Sequence, residues 1–449
     1  MLFKTRRLFF YSLILVFIIL GAYLLITAQG WVLDLKNLKV VETGSLFLRY
    51  APSDATVEIN GKVRDVSPGF ITSGVLISKL APGEYKIILN KSGYFPWEKK
   101  LTVGEAVVAS ASQVKLWPET WSFKEVTTSS VSDFWLTNQG AVMLTKNKTL
   151  IWDGRTLRGQ KMILSNPDFN FILTSDGKNY FLTDLENPEA SVNLVDLFNS
   201  LRQSQLNFTG TETPKNFLFH PFNGNKILLV TKNALYALDL KRMRLEEFLS
   251  ATSTVSAATS NNEAFTEDAA GNLTVFNLLL QTANIYALKP PPASIVKMKA
   301  SPSGSFIFFL ENDGTLLMYD RSSKILKTLD KNAADFSLAP DEKRLIIASK
   351  NNTLSLLVLS DYYADGDVKS GDEWTLPSGN GGIKDFEWLS DISNYGLVLS
   401  GDKIFVAELE KRTPQNIYPV TDGVKKILVY GNTLYILKSN GILLEAGLK

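Results

Sequence analysis

The 449-residue chain contains no cysteine. Disulfides, thiolate nucleophiles, zinc–cysteine centres and a diacylglyceryl anchor on cysteine are excluded with it. Histidine is nearly as scarce. His220 is the only one, so His-rich metal sites are excluded and imidazole catalysis would rest on one residue. Excess charge of one sign is also missing. Lys and Arg number 47 against 45 Asp and Glu, a net charge of +2, without the basic stripe that a nucleic-acid binder carries. No nucleic-acid partner is expected. No Gly-rich phosphate loop and no nucleophile elbow occurs, and no cofactor is expected.

What is present is a foldable composition, 45% hydrophobic and 20% charged, on a chain too long for one ordinary domain. The longest apolar run, "LFFYSLILVFIILGAYLLI" from Leu8 to Ile26, holds no charge. As a helix it would be about 28 Å long and match a bilayer core. Lys4, Arg6 and Arg7 precede it, whereas Asp34, Lys36, Lys39 and Glu42 after it cancel. The positive-inside rule then predicts a single-pass anchor over residues 8–28, with the basic residues 1–7 in the cytoplasm. Everything after it, beginning with a linker over residues 29–43, is expected outside. The alternative is a cleaved signal peptide, but the run exceeds the usual 7–15 residues and Ile26-Thr27-Ala28 makes a poor cleavage site.

Residues 44–118 show short alternating runs such as "SLFLRY", "ATVEIN" and "YKIIL". Asn60-Gly61, Ser67 to Gly69 and Ala81 to Gly83 separate them. Period-two alternation broken by Asn-Gly and Pro-Gly predicts a small antiparallel β-sandwich. Gly44, "DATVEING", "LAPGEYKIILNKSGY" and the closing "LTVGE" together resemble a PEGA domain. One departure is that "GFITSG", Gly69 to Gly74, lengthens a loop. The resemblance implies a non-catalytic spacer or adhesion module of exported, often membrane-anchored bacterial proteins. It places the chain at the bacterial cytoplasmic membrane, facing outward. Tyr94, Phe95 and Trp97 follow a Gly turn in this module. They are read either as an aromatic platform for a glycan or a protein, or as closure of the sandwich core.

From 119 to 449 one unit recurs: apolar strand, polar turn, strongly apolar strand, Asn/Asp/Gly turn, and a strand ending near Asp. "FLFHPFNGNKILLVTKNALYALDL" and "VKMKASPSGSFIFFLENDGTLLMYD" are clear copies. The turn prolines Pro221, Pro302 and Pro340 fit a period of about 40 residues, the spacing of propeller blades. Repeats start near Val131, Met162, Asn216, Thr254, Val296, Ala334, Lys384 and Lys425. The expected fold is therefore all-β: the sandwich plus a propeller of about eight blades, with seven as the alternative. "TWSFKEVTT", Thr120 to Thr128, is expected to complete the short last repeat and close the ring. The blades resemble WD40-like and quinoprotein-like propellers loosely. The Trp-Asp and Gly-His signatures are missing, so the resemblance implies architecture and no activity.

No catalytic residue is assigned. His220 reads as a turn residue, because the equivalent position of another repeat is Ser301. The insertion from Ser360 to Gly382 carries Asp361, Asp365, Asp367, Asp372 and Glu373. These are hard oxygen ligands suited to calcium but spaced unlike an EF-hand. A second insertion, residues 187–215, predicts a short rim helix with Val192, Leu194, Val195, Leu197, Phe198 and Leu201 on one face. The chain is therefore expected to be a membrane-tethered, non-catalytic scaffold, its partner an envelope protein or cell-wall glycan. A glycan hydrolase using propeller carboxylates is the alternative, as is a wall-adhering structural protein.

Overall fold

A computed structural model of the chain describes residues 3–28, 30–34, 39–66, 74–127, 130–137, 139–165, 170–250, 254–362, 368–389 and 394–448. Helix α1 (Phe3–Ala28) opens it. Among the described residues no helix is long and apolar enough to cross a membrane. The uncharged run from Leu8 to Ile26 extends past the described α1 side chains, 9–24, at both ends. Where a linker was expected, β1 (Trp31–Asp34) and β2 (Lys39–Glu42) pair as an antiparallel hairpin, Trp31 opposite Glu42.

The next unit is a sandwich of two sheets. Strands β3 (Gly44–Ala51), β4 (Thr56–Ile59), β5 (Lys62–Arg64), β6 (Val75–Leu80), β7 (Gly83–Asn90), β8 (Trp97–Val103) and β9 (Val108–Lys115) build it. One sheet is ordered β6-β3-β9 and the other β5-β4-β7-β8. Among the described residues only the β3–β9 pair is parallel within it. Alternation along β3 and β8 sends Leu46, Leu48, Leu101 and Val103 into one core with Val57, Ile87 and Leu89. Asn60 and Gly61 both take positive φ, 49° and 77°, which a two-residue β4–β5 turn of mirror-image type demands. Gly44 has a different reason. A Cβ there would strike the Gly104 carbonyl and come within 2.7 Å of the Val107 carbonyl. The lengthened loop at 69–73 lies outside the described residues.

Beyond the sandwich, among the described residues, eight four-stranded antiparallel sheets follow one another. Their first strands are Val131–Thr137, Lys161–Leu164, Asn216–Phe219, Thr254–Thr259, Ile295–Ala300, Ala333–Leu338, Ile383–Trp388 and Val424–Tyr430, numbered here as sheets 1 to 8. Each range contains one of the eight repeat starts read from the sequence. Sheets 1 to 7 use four consecutive strands. Sheet 8 takes its fourth from the front of the region, where β10 (Lys124–Thr127) pairs with Leu443–Gly447.

Most second strands are rich in apolar residues because both of their faces are covered. Phe306–Glu311 and Arg344–Ser349 each bury four residues in a row. Between sheets 1 and 2 lies a core of Val142, Trp152 and Ile172. Similar clusters separate every successive pair, and Phe134, Leu437 and Leu443 fill the layer between sheet 8 and sheet 1. The sheets therefore follow one another in a propeller-like ring without a free apolar face.

Helix α2 (Leu194–Leu206) sits in the insertion between sheets 2 and 3. The Asn193 side chain caps it by accepting from Val195 and Asp196 N–H, and Asn207 ends it in the left-handed region at φ 57°. Its buried face is Leu194, Phe198 and Arg202, with Leu197 and Leu201 packed beside it. Val192 lies outside the helix and is exposed.

The sandwich is joined to sheet 7 by a buried polar lock. Lys99 is fully buried and its ammonium has three acceptors: Glu408 Oε2 at 2.7 Å and the Arg412 and Pro414 carbonyls at 3.0 Å each. All three of its N–H bonds are satisfied. Glu408 in turn accepts from the Trp97 indole at 2.9 Å and from the Asn416 backbone and side chain at 3.0 and 2.7 Å. Around this pair, Phe95 packs on Tyr418 and Trp117 meets Tyr395 edge-on. The backbones join as well, through Lys100 N–H to Thr413 O and Arg412 Nη1 to Ser110 O.

Removing one member of a buried pair strands the other, at a cost of about 3–5 kcal/mol. Lys99→Met should therefore lower stability by about that much in urea unfolding. It should also open a protease-sensitive site between sandwich and ring. An unfolding midpoint equal to that of the unaltered protein would show that the lock contributes nothing.

Candidate functional site

The first strands of the sheets line the ring's axis, and seven of the eight carry a one-residue β-bulge near their start. A bulge frees a backbone amide and re-aims the residue that follows. In three sheets that residue is an aspartate followed by phenylalanine: Asp133-Phe134, Asp335-Phe336 and Asp385-Phe386. Each aspartate accepts the N–H of its own phenylalanine, at 2.8, 2.7 and 2.9 Å.

Two of these pairs receive a lysine from the equivalent position of the preceding sheet. Lys426 of sheet 8 reaches Asp133 at 2.8 Å and the Phe134 carbonyl at 2.7 Å, with its ammonium 5.2 Å from the Phe134 ring centre. Lys297 of sheet 5 reaches Asp335 at 2.5 Å and the Phe336 carbonyl at 3.3 Å, 4.8 Å from the Phe336 ring. A carboxylate, a carbonyl and an aromatic face thus form one cradle for an ammonium, built twice.

The third cradle, Asp385-Phe386, opens on a cavity of about 460 Å³ between sheets 5, 6 and 7. Lys297, Lys299 and Lys384 line it together with Asp335, Asp385 and Glu387. Residues 385 and 387 share a face because they are two apart on a strand. Desolvation pushes Asp385 above the usual carboxylate range, and the charge of Asp335 adds to it; Lys426 and Lys297 pull the other way. Glu387 is pushed up to about 8, first by desolvation and then by Asp385. Desolvation likewise lowers Lys299, helped by Lys297. On sheet 4, Glu267 is buried and pushed up to about 7 by desolvation, with Ser256 donating to it at 3.3 Å. Two exposed valines, Val255 and Val296, sit on the bulges of sheets 4 and 5.

The residues singled out from the sequence lie elsewhere. Trp97 is fully buried on Glu408, Phe95 packs against Tyr418, and Tyr94 bridges to Pro118. Phe95 and Trp97 therefore join sandwich to ring, whereas Tyr94 packs on the sandwich core and lines a small cavity with Trp117 and Leu448. Asp361 accepts the Ser370 N–H, Asp372 pairs with Lys411 at 3.0 Å, and Glu373 is exposed on an outer strand. Asp365 and Asp367 lie outside the described residues. Among the described residues no group of three His, Asp or Glu could hold a metal ion. His220 is buried at the turn position that Ser301 and Ala339 occupy in other repeats. Each of the three donates its N–H back across a hairpin. Burial lowers its pKa to about 4, with Lys226 adding to the shift, so it stays neutral. The Asp-Phe dipeptides escaped the sequence reading. Their signal was present as "SDFW", "ADFS" and "KDFE" at matching points of three repeats.

Residues 43–115 match the PEGA domain family. No curated protein matches the chain. Among solved structures, Hsv2p of Kluyveromyces lactis is similar with a TM-score of 0.43 and 11% identity, over 65% of this chain and 97% of that one. The computationally designed Ika8 protein gives 0.45 and 13%, over 72% and 97%. PorZ, described as an essential surface component of the type-IX secretion system of Porphyromonas gingivalis, gives 0.39 and 14%, over 70% of this chain and 42% of its own.

The raised carboxyls set a pH dependence. A carboxyl with a folded pKa above its unfolded value of 4.5 binds more protons when folded, so stability falls as pH rises between the two values. For Glu387 that window runs from about 4.5 to about 8, and for Glu267 from about 4.5 to about 7. Glu387→Gln should flatten the decline in melting temperature across pH 5–8. Parallel curves for variant and unaltered protein would contradict the placement of Glu387 in a poorly solvated cavity.

Proposed function

We propose that the protein is a non-catalytic binding platform of the bacterial cell envelope, with three linked parts. The apolar α1 anchors it in the cytoplasmic membrane with its basic end inside. The PEGA-like sandwich is a mount, and the ring is an eight-bladed β-propeller that presents its axis and rim to a partner. The observation that carries this reading is the buried Lys99–Glu408 lock. A flexible stalk has no use for a saturated buried ion pair to its cargo, whereas a platform held at a fixed height and tilt does. The charged axial cavity and the exposed Val255 and Val296 near it then supply the binding face.

A hydrolase is the second reading, favoured by Glu387. A carboxyl held at about 8 keeps its proton at neutral pH, as a general acid must, and Asp335 shares its cavity. It requires glycan turnover that Glu387→Gln abolishes.

The absence of cysteine makes the membrane arrangement directly testable. Val63, 67% exposed on the sandwich, and Thr5, before the apolar run, would each be replaced singly by cysteine. An impermeant maleimide should label Val63→Cys in intact cells and Thr5→Cys only after lysis. Labelling of Thr5→Cys alone in intact cells would invert the orientation, and carbonate extraction of the chain from membranes would remove the anchor. A photo-crosslinker at Val296 should give one discrete product in intact cells. No product there would count against the rim as the binding face.

A further inference from the structure

The axial cradles contain their own template for a ligand. Lys426 and Lys297 each place an ammonium between an aspartate, the next residue's carbonyl and a phenylalanine ring. Asp385-Phe386 repeats the strand register of both, with the bulge before the aspartate and Phe386 opposite Val398, as Phe336 is opposite Ile347. It repeats the aspartate-to-amide bond as well. The ring of Phe386 is held edge-on against Trp388 at 5.2 Å, and any side chain at Gly396 would strike it. What differs is the donor. The preceding sheet offers Asp335 at the position from which Lys297 and Lys426 reach out, so a like charge faces Asp385. Among the described residues no ion pair reaches Asp385, and this cradle opens on the cavity.

We propose that the Asp385-Phe386 cradle binds a primary alkylammonium group brought by a ligand: a lysine side chain of a polypeptide or a free amine. Two intramolecular copies show that this geometry accepts that group, and the cavity gives it access. Lys299 and Lys384 line the same space, so one ammonium on an uncharged stem fits better than a polyamine. An incoming cation also relieves the repulsion between Asp385 and Asp335. Affinity should fall as pH drops and Asp385, already raised by desolvation, takes up a proton; Glu387, pushed up to about 8, is neutral below that value. Lys297 and Lys426, each engaged in its own pair, leave this direction unchanged. The inference deepens the binding-platform reading and rests on it.

Equilibrium dialysis of the full-length protein against radiolabelled Nα-acetyl-lysine-N-methylamide tests it. The expected result is saturable binding that is lost when the probe's ε-amine is acetylated. It should weaken at least tenfold in Asp385→Asn, which keeps an acceptor for the Phe386 amide. Asp335→Lys, which supplies the cradle from the preceding sheet, should also abolish uptake. Competition by n-pentylamine as strong as by a capped lysine peptide would identify a free amine as the natural source. Stronger competition by the peptide would identify a polypeptide. Equal binding of the acetylated probe, or unaltered binding in Asp385→Asn, would overturn the proposal. A crosslinked partner at Val296 with no amine uptake would sink this inference and leave the platform reading standing.

Discussion

Both faces of nearly every sheet in the large region are apolar, and that constraint dictates the rest of the molecule. A sheet with two apolar faces must have a neighbour on each side. A row of such sheets would leave two faces in water, whereas a ring leaves none. The layer of Phe134, Leu437 and Leu443 between the eighth sheet and the first is where the ring meets itself. β10 completes it by giving the last sheet a strand from the other end of the region, with Lys124 paired to Glu445 at 2.7 Å. Closure also pairs the edge of the Leu443–Gly447 strand, which a three-stranded last sheet would leave open.

Closure has two consequences for function. It carries the sandwich to sheets 7 and 8, because β9 and β10 are separated by a short segment and β10 must reach the last sheet. The apolar contacts of Trp117 with Tyr395 and of Phe95 with Tyr418 follow from that proximity, and Lys99 with Glu408 fixes the fit. Closure also brings the first strands around one axis, where bulges aim charged residues from different sheets at each other. Ion pairs then form between sheets that are far apart in sequence, such as Lys426 with Asp133. At that axis desolvation and repulsion act on Asp385, Glu387 and Lys299 together.

Much of this is legible in the sequence. The period of about 40 residues marked all eight first strands, because each sheet is a local meander and repeats its turn chemistry. The strand that closes the ring was legible from the short final repeat. Turn residues in the sandwich, such as Asn60 and Gly61, carried their own backbone requirement. The hairpin at Trp31 to Glu42 was not legible. Two four-residue strands with charged ends and no Asn-Gly or Pro-Gly break look the same as a linker.

The sequence by itself determined the repeat and the order of its consecutive strands within sheets 1 to 7, since these depend on neighbours a few residues apart, and it left the number of blades at eight or seven. It also determined what the protein lacks, from cysteine chemistry to a histidine cluster. Only the tertiary structure decided which side chains meet. Trp97 and Lys99 lie some three hundred residues from Glu408, and the three Asp-Phe pairs lie on different sheets. Their partnership depends on how the ring closes, a long-range condition that no local pattern of residues encodes. The same condition placed Phe95 and Trp97, which read either as a platform or as closure of the sandwich core, in the seam between sandwich and ring. It also made an unremarked dipeptide the lining of the axial cavity.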